Sequence, residues 1–260
     1  MTVPVLVVNR TGDRDRWVAC QASADAQGIA VTRIAAIDAH APDFDPAPHR
    51  DLLRTHFWGE PVIKPGALGC FLSHRLAWQR AASGTSPWTV ICEDDASFKA
   101  SLGPLIAVLE THPEADLVFA NERMAAWCRH VGQRLQPLAD ILHALALEHG
   151  PRRIKGLKRT PGADCYALSR TGAAALLART EAQGIVCGVD WAMVWNAAGP
   201  IDAAVSDAFP ELATLSANLT PPAPLRALVV ADALADQSGA PSVLKHSERR
   251  ALATWVRVGA

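Results

Sequence analysis

The sequence predicts an α/β fold in which helices flank a central sheet. Residues 3–8 and 29–37 are apolar runs with β-branched side chains, which predict two strands. Residues 13–27 lie between them and carry an apolar stripe with helical spacing, so they predict a helix. Two strands bridged by a helix of this length indicate a right-handed βαβ unit.

The same alternation of strands and helices continues along the chain. Residues 67–82 predict a largely buried helix, because nearly its whole circumference is apolar. Ser169 is expected to cap the helix over residues 170–183, and Gly184 to end it. The other predicted elements are helices over residues 102–110 and 135–149, and strands over residues 88–92, 116–120, 164–168 and 201–205.

Composition and charge narrow the function classes. The 25 basic and 26 acidic residues give a net charge of −1, so there is no global attraction to nucleic acid. No apolar run approaches the roughly 18 residues of a transmembrane helix. The N-terminus predicts a strand and lacks the basic lead of a signal peptide. The six cysteines are scattered among apolar residues, which is typical of buried free thiols in a cytoplasmic protein.

The composition also predicts a boundary near Thr220. Residues 1–220 are expected to form the catalytic domain. Residues 221–260 are rich in proline and alanine and predict a connector followed by a short helix over residues 248–256, packed on the same domain.

Three consecutive carboxylates, Glu93, Asp94 and Asp95, follow the predicted strand over residues 88–92. In an open α/β sheet, ligands bind beyond the carboxyl ends of the strands. Mutual repulsion raises the pKa of adjacent acids, and a bound cation removes that cost. Mg²⁺ and Mn²⁺ favour carboxylate oxygens together with substrate phosphates, so the triplet suggests a divalent-metal site. The alternative is a solvated acidic turn.

Basic and polar residues are candidates for binding a phosphorylated ligand. Asn9 and Arg10 leave the carboxyl end of the first strand and are expected to contact a base or ribose, with Arg16 nearer a diphosphate. The alternative for Arg16 is a helix-surface charge. Five basic residues, among them Arg153 and Lys155, fall within residues 152–159 and predict a mobile cationic loop that closes over the diphosphate. The alternatives are a solvated charge run or a peripheral contact with a membrane surface.

His74 lies on the predicted helix over residues 67–82 and has two interpretations. It is either a core histidine bonded to a backbone carbonyl or a site residue beneath the acidic triplet.

Several motifs together resemble glycosyltransferase family 25, which includes lipopolysaccharide and lipooligosaccharide glycosyltransferases and the collagen galactosyltransferases. The resemblance runs through roughly residues 3–192. The motifs are Val7-Val8-Asn9 with Arg14 and Arg16, Arg33 to Ile37, Gly69-Cys70-Phe71-Leu72-Ser73-His74, Glu93-Asp94-Asp95, Tyr166 to Arg170 with Gly172-Ala173, and Val189-Asp190.

The resemblance implies a GT-A-like fold, a Rossmann-type mixed sheet flanked by helices. It also implies an inverting hexosyltransferase that uses a nucleotide-sugar donor such as a UDP-sugar, with Mn²⁺ or Mg²⁺. The acceptor would be a hydroxyl of a glycan or lipopolysaccharide-type saccharide. The chain departs from the family at Ala67, where an acidic residue is typical, and residues 193–260 carry no resemblance.

The family pattern and the chemistry suggest site roles. Glu93 and Asp95 have the one-residue gap of a DxD motif and are the candidate metal ligands, with Asp95 the best direct ligand. Glu93 or Asp94 would then bind the ribose or a metal-bound water. Asp190 is the candidate base that takes the acceptor hydroxyl proton, since the family pattern carries an aspartate here. Trp191 and Trp195 would offer flat surfaces to a sugar ring.

Two other functions use the same residues. One is a metal-dependent phosphoesterase or nucleotidyltransferase, although the nine histidines form no further ligand motif. The other is a noncatalytic nucleotide-sugar-binding protein, to which the Ala67 departure lends weight.

Overall fold

A computed structural model describes residues 1–54, 64–152, 154 and 156–237. Its strands are β1 (Val5–Asn9), β2 (Val31–Ala35), β3 (Trp88–Glu93), β4 (Ala96–Phe98), β5 (Leu117–Phe119), β6 (Leu135–Pro137), β7 (Cys165–Ser169), β8 (Ala227–Val230) and β9 (Ala235–Gln237). Seven of them form the central sheet in the order β2-β1-β3-β7-β5-β8-β6, and β4 pairs with β9.

The central sheet is mixed. Strand β1 runs parallel to both β2 and β3, whereas β7 runs antiparallel to its neighbours β3 and β5. Strand β8 is parallel to β5 and antiparallel to β6. The predicted α/β sheet is therefore confirmed.

Helices cover both faces of this sheet. They are α1 (Arg14–Asp25), α2 (Pro65–Ser83), α3 (Gly103–Thr111), α4 (Glu122–His130), α5 (Leu138–His149), α6 (Arg170–Gln183), α7 (Val189–Ala197), α8 (Ala203–Ala208) and α9 (Pro210–Asn218), with a 3-10 helix over Ala47–Leu52. Strand β3 shows why two cores form: Ile91 packs on the α2 side, and Val90 and Cys92 on the α1 and α3 side. Alternate side chains of one strand point to opposite faces.

Local capping explains the best-predicted helix, α6. The Ser169 hydroxyl accepts a hydrogen bond from the Gly172 backbone N–H at 3.0 Å, as expected of an N-cap. The helix ends before Gly184, whose φ of 78° is costly for residues with a side chain. Both predicted boundaries are confirmed.

Some predicted elements are wrong. Residues 201–205 were expected to form a strand, but Asp202 caps α8 by accepting from the Val205 N–H at 2.8 Å. Part of the expected connector, Ala227–Val230, is strand β8 inside the central sheet. The helix expected over residues 135–149 starts at Leu138, after the short strand that ends at Pro137. The predicted helix over residues 248–256 lies outside the described residues.

The cysteines behave as expected of buried thiols. All six are free, and all except the half-buried Cys70 are buried. Cys92 and Cys165 face each other across β3 and β7, with their sulfur atoms 3.4 Å apart. In the described part of the chain, none of the helices has both the length and the apolar character needed to span a bilayer.

Candidate active site

A cleft of about 760 Å³ opens at the carboxyl ends of β1, β2 and β3. Its walls come from the start of α1, the segment after β2, the first half of α2, the turn after β3, residues 158–163 and the start of α7. This is the edge at which an open α/β sheet binds ligands. The charged and potentially metal-binding side chains that line it include Arg10, Asp13, Arg16, Asp38, Cys70, His74, Glu93, Asp94, Asp95, Arg123, Lys158 and Asp190.

The acidic triplet lies in this cleft and is not a solvated turn. Asp94 and Asp95 are only 7% and 8% exposed. Burial raises the pKa of Asp94, although the hydrogen bond from Asn9 and the charge of Arg16 act to lower it. Burial and the charge of Glu93 raise the pKa of Asp95 to about 6. The turn therefore keeps ionised carboxylates out of water. Buried carboxylates are stable only when a cation or a proton compensates their charge.

Arg16 supplies part of that compensation. Its Nη2 atom lies 2.5 Å from Asp94 Oδ1 and 3.1 Å from Asp95 Oδ2. The side chain is 19% exposed and reaches from α1 into the cleft, so it is not a helix-surface charge.

Asn9 and Arg10 are held by protein partners. Asn9 is buried; its amide donates to Asp94 Oδ2 at 2.7 Å and its Oδ1 accepts from Arg33 Nε at 2.7 Å. Arg10 forms a two-point contact with Asp13, at 2.7 and 3.1 Å, and a third bond to Asp38 at 2.9 Å. The Asp13 hydrogen bond, with the charge of Asp38, raises the pKa of Arg10. This arrangement orients Asp94, Asp13 and Asp38 toward the cleft.

A buried hydrogen-bond relay holds Glu93. Trp78 Nε1 donates to the Tyr166 hydroxyl at 2.8 Å, that hydroxyl lies 2.8 Å from His74 Nδ1, and His74 Nε2 lies 3.3 Å from Glu93 Oε1. Because Trp78 can only donate, the hydroxyl proton has His74 Nδ1 as its acceptor. His74 Nε2 then carries a proton and donates to Glu93.

The relay decides between the two interpretations of His74. The residue is buried beneath the triplet and bonds to side chains, which supports the role of a site residue. Burial tends to raise the pKa of Glu93, but the hydrogen bond from His74 and the charges of Arg123 and Arg16 outweigh it and lower the pKa. Cys70, His74 and Glu93 lie close enough to hold a metal ion, but a metal there would displace the Nε2 proton that His74 donates to Glu93.

Asp164 is a site residue that sequence reasoning missed. It directly precedes β7, and its carbonyl accepts from the Glu93 backbone N–H at 3.1 Å. Its side chain is 2% exposed, and Arg123 Nη2 lies 3.5 Å from its Oδ1. Burial and the charge of Glu93 raise the pKa of Asp164 to about 7. No local pattern marks this residue, because only the pairing of β7 with β3 brings it beside Glu93.

The carboxylates have unused oxygens. Oδ1 of Asp95 and Oδ1 of Asp164 are buried and have no hydrogen-bond partner among the described residues. Unpaired buried carboxylate oxygens are the donor type that Mg²⁺ and Mn²⁺ prefer. The residues present therefore fit a hard divalent cation.

Asp190 lies across the cleft in the first turn of α7. Gly188 is the N-cap, and Asp190 Oδ1 accepts from the Trp191 N–H at 2.9 Å. Burial raises the pKa of Asp190, and the charge of Glu93 adds to this effect. Trp191 and Trp195 are buried in the core, and neither is among the residues that line the cleft. The expected tryptophan surface for a sugar ring is therefore wrong.

The basic stretch over residues 152–159 is only partly described. Arg153 and Lys155 lie outside the described residues. Lys158 is exposed and lines the cleft. Arg159 turns away: it donates to the carbonyls of Ala208 and Gly150 at 2.7 and 2.6 Å, and its guanidinium lies 5.7 Å from the centre of the Phe209 ring.

Close packing explains the glycine of the Gly69-Cys70 motif. A Cβ atom on Gly69 would lie 2.7 Å from the Ile37 carbonyl oxygen, closer than real contacts allow. Glycine thus lets α2 approach the segment after β2, and the two together form one wall of the cleft. Ala67, where the family typically has an acid, also lines this wall.

The raised pKa of Asp164 makes stability depend on pH. Its pKa is about 7 in the folded chain and about 3.9 when unfolded, so the folded state binds more protons in between. Stability should therefore fall as pH rises from about 4 to about 7, by at most about 1.4 kcal/mol per pH unit for this group. Asp164→Asn should flatten the decline. Urea unfolding at several pH values in chelator tests this, with the exposed Asp232→Asn as control. Parallel curves for wild type and Asp164→Asn would contradict it.

Comparisons with curated proteins and with solved structures give only weak likenesses. A comparison with curated proteins gives no significant match. Among solved structures, a glycosyltransferase involved in the glycosylation of the major capsid of PBCV-1 is 11% identical, with a TM-score of 0.43, and the match covers 94% of this chain and 96% of that chain. Mouse xyloside xylosyltransferase 1 is 13% identical, with a TM-score of 0.30 and coverages of 81% and 83%. An active-site mutant of LgtC is 9% identical, with a TM-score of 0.33 and coverages of 88% and 86%.

These structural likenesses are weak, so the assignment depends on the sequence family. The family described as glycosyltransferase family 25 (LPS biosynthesis protein) matches residues 2–193, which is most of the chain. Together with the mixed sheet and its flanking helices, this match confirms the expected GT-A-like fold class. The chain belongs to glycosyltransferase family 25.

Proposed function

We propose that the protein transfers a sugar from a nucleotide-sugar, such as a UDP-sugar, to a hydroxyl of a glycan or lipopolysaccharide-type saccharide, with inversion. The observation that carries this proposal is the group of buried carboxylates at the carboxyl ends of β1 and β3, in a chain of family 25. The cytoplasmic location inferred from the scattered thiols belongs to the same proposal.

The carboxylates are proposed to hold Mn²⁺ or Mg²⁺. Asp95 and Glu93 are the ligands that the motif suggests, and Oδ1 of Asp164, which lies 3.5 Å from Arg123 but accepts no hydrogen bond among the described residues, adds a third candidate. When bound, the ion neutralises charge on the leaving diphosphate. Because His74 already donates to Glu93 and Arg123 pairs with Asp164, Asp95 has the freer oxygen.

Other residues of the cleft would position the donor. Asn9 and Arg33 fix Asp94, which is proposed to accept a hydrogen bond from the ribose or a metal-bound water. Asn9 thus supports the donor site through Asp94, since both ends of its amide are already bonded. Arg10 similarly fixes Asp13 and Asp38 at the cleft wall.

Cations are proposed to bind the diphosphate. Arg16, Arg123 and Lys158 line the cleft, and all three can donate charge-assisted hydrogen bonds to phosphate oxygens. Arg153 and Lys155 precede Lys158 in the same stretch and stay candidates for the same role.

Asp190 is the proposed general base. Its Oδ1 is held by the Trp191 N–H, which leaves Oδ2 for the proton of the acceptor hydroxyl. The raised pKa of Asp190 makes its carboxylate a stronger proton acceptor. His74 is less suited, because its Nε2 donates to Glu93.

A screen of nucleotide-sugars tests the function against its alternatives. With Mn²⁺, one donor should raise the melting temperature and then show sugar transfer, or slow donor hydrolysis without an acceptor. Stabilisation without transfer or hydrolysis would favour a noncatalytic binding protein. Cleavage of simple phosphodiesters without preference for a nucleotide-sugar would favour the phosphoesterase.

Asp190→Asn tests the base. Asparagine keeps the oxygen that accepts from the Trp191 N–H but cannot take a proton, so the variant should fold and bind donor normally. Transfer should slow at least about a hundredfold in kcat. The assignment is wrong if kcat stays near the wild-type value. Asp207→Asn, on the surface of α8, is a control that should leave kcat unchanged.

A further inference from the structure

A second group of metal-ligating side chains lies outside the cleft, where the ends of α4 and α5 meet. His130 is the last residue of α4, and Glu148 and His149 are the last two of α5. The Nε2 atoms of the two histidines are 2.8 Å apart. Glu148 places Oε1 3.2 Å from His149 Nε2 and Oε2 3.8 Å from His130 Nε2. We propose that these three side chains bind a divalent transition metal of the zinc class.

The geometry of the two imidazoles supports a metal. With Nε2 facing Nε2, one ring must donate and the other accept, so a second proton would place two N–H groups against each other. A cation between the rings uses both lone pairs at once. Zinc–nitrogen bonds of about 2.0–2.1 Å in a tetrahedron separate two ligand nitrogens by about 3.3 Å. The rings therefore need to open by only about 0.5 Å, a small rotation for side chains at the surface.

The ligand types indicate which metal. Imidazole suits zinc, copper and nickel, whereas magnesium and manganese favour oxygen ligands. Two histidines and one carboxylate leave a fourth position for water, and all three side chains are accessible to solvent. The site thus differs from the all-carboxylate group in the cleft, and it does not depend on the proposed transfer reaction.

The position of the site links two walls of the cleft. Helix α4 begins next to Arg123, which lines the cleft, and α5 leads through Gly150 into the stretch that brings Lys158 to it. Arg159 holds the same junction by donating to the Gly150 carbonyl at 2.6 Å. A metal on His130 and His149 joins the end of α4 to the start of this stretch.

Zinc titration by calorimetry on chelator-treated protein tests the site. Wild type should bind one more zinc ion per chain than His149→Asn and His130→Asn, or bind that ion at least about tenfold more tightly. His143→Asn is the matched control, because His143 is exposed on the same helix but contacts Asp202. It should bind zinc as wild type does. Equal zinc stoichiometry and affinity in wild type, His130→Asn and His149→Asn would overturn the proposal.

Cobalt substitution separates this site from the cysteine-containing group in the cleft. Cobalt bound by two imidazoles and a carboxylate should give visible ligand-field bands that His149→Asn removes and Cys70→Ser leaves intact. An intense near-ultraviolet thiolate band that Cys70→Ser abolishes, with no change in His149→Asn, would place the metal in the cleft and contradict the proposal.

Discussion

The gathering of four carboxylates at one edge of the sheet, three of them buried, is the constraint on which the site depends. Asp94 and Asp95 are in direct contact with the guanidinium group of Arg16, and Asp164 with that of Arg123, whereas Glu93 contacts His74. Two cations do not balance four acids, so protons must stay on some of them. The pKa values of about 6 for Asp95 and about 7 for Asp164 express this imbalance. A divalent cation would remove it, which connects the fold to the proposed chemistry.

The mixed topology of the sheet is what assembles these acids. Strand β1 runs parallel to β3, so Asn9 and Glu93 end at the same edge. Strand β7 runs antiparallel to β3, so its beginning, and not its end, lies at that edge and brings Asp164 there. A parallel β7 would place Asp164 at the opposite edge of the sheet. The reversal of one strand is therefore a requirement of the site.

The sequence predicted correctly those elements whose limits are set by interactions between residues close in the chain. The apolar run that ends at the triplet gives β3, and Ser169 with Gly184 gives the limits of α6, because strand burial and helix caps depend on residues close in sequence. The triplet itself, Arg16 and Asp190 meet in one cleft, as the motifs suggested.

The features that the sequence did not predict depend on contacts between residues far apart in the chain. Asp164 looks like the first residue of an ordinary strand until β7 pairs with β3. Strand β8 is only four residues long and follows a proline-rich segment. Its place between β5 and β6 depends on pairing with strands about a hundred residues away in the chain. Trp191 and Trp195 seemed suited to a sugar, but the packing of α7 buries them in the core.

The central claim is that the buried carboxylates form a cation-dependent diphosphate site, and binding of UDP tests it most directly. Calorimetry would compare wild type with Asp95→Asn, each with and without Mn²⁺. Because metal and nucleotide share the site, Mn²⁺ should tighten UDP binding to wild type by about tenfold or more, and Asp95→Asn should lose most of that gain. Equal UDP affinity in all four experiments would contradict the account.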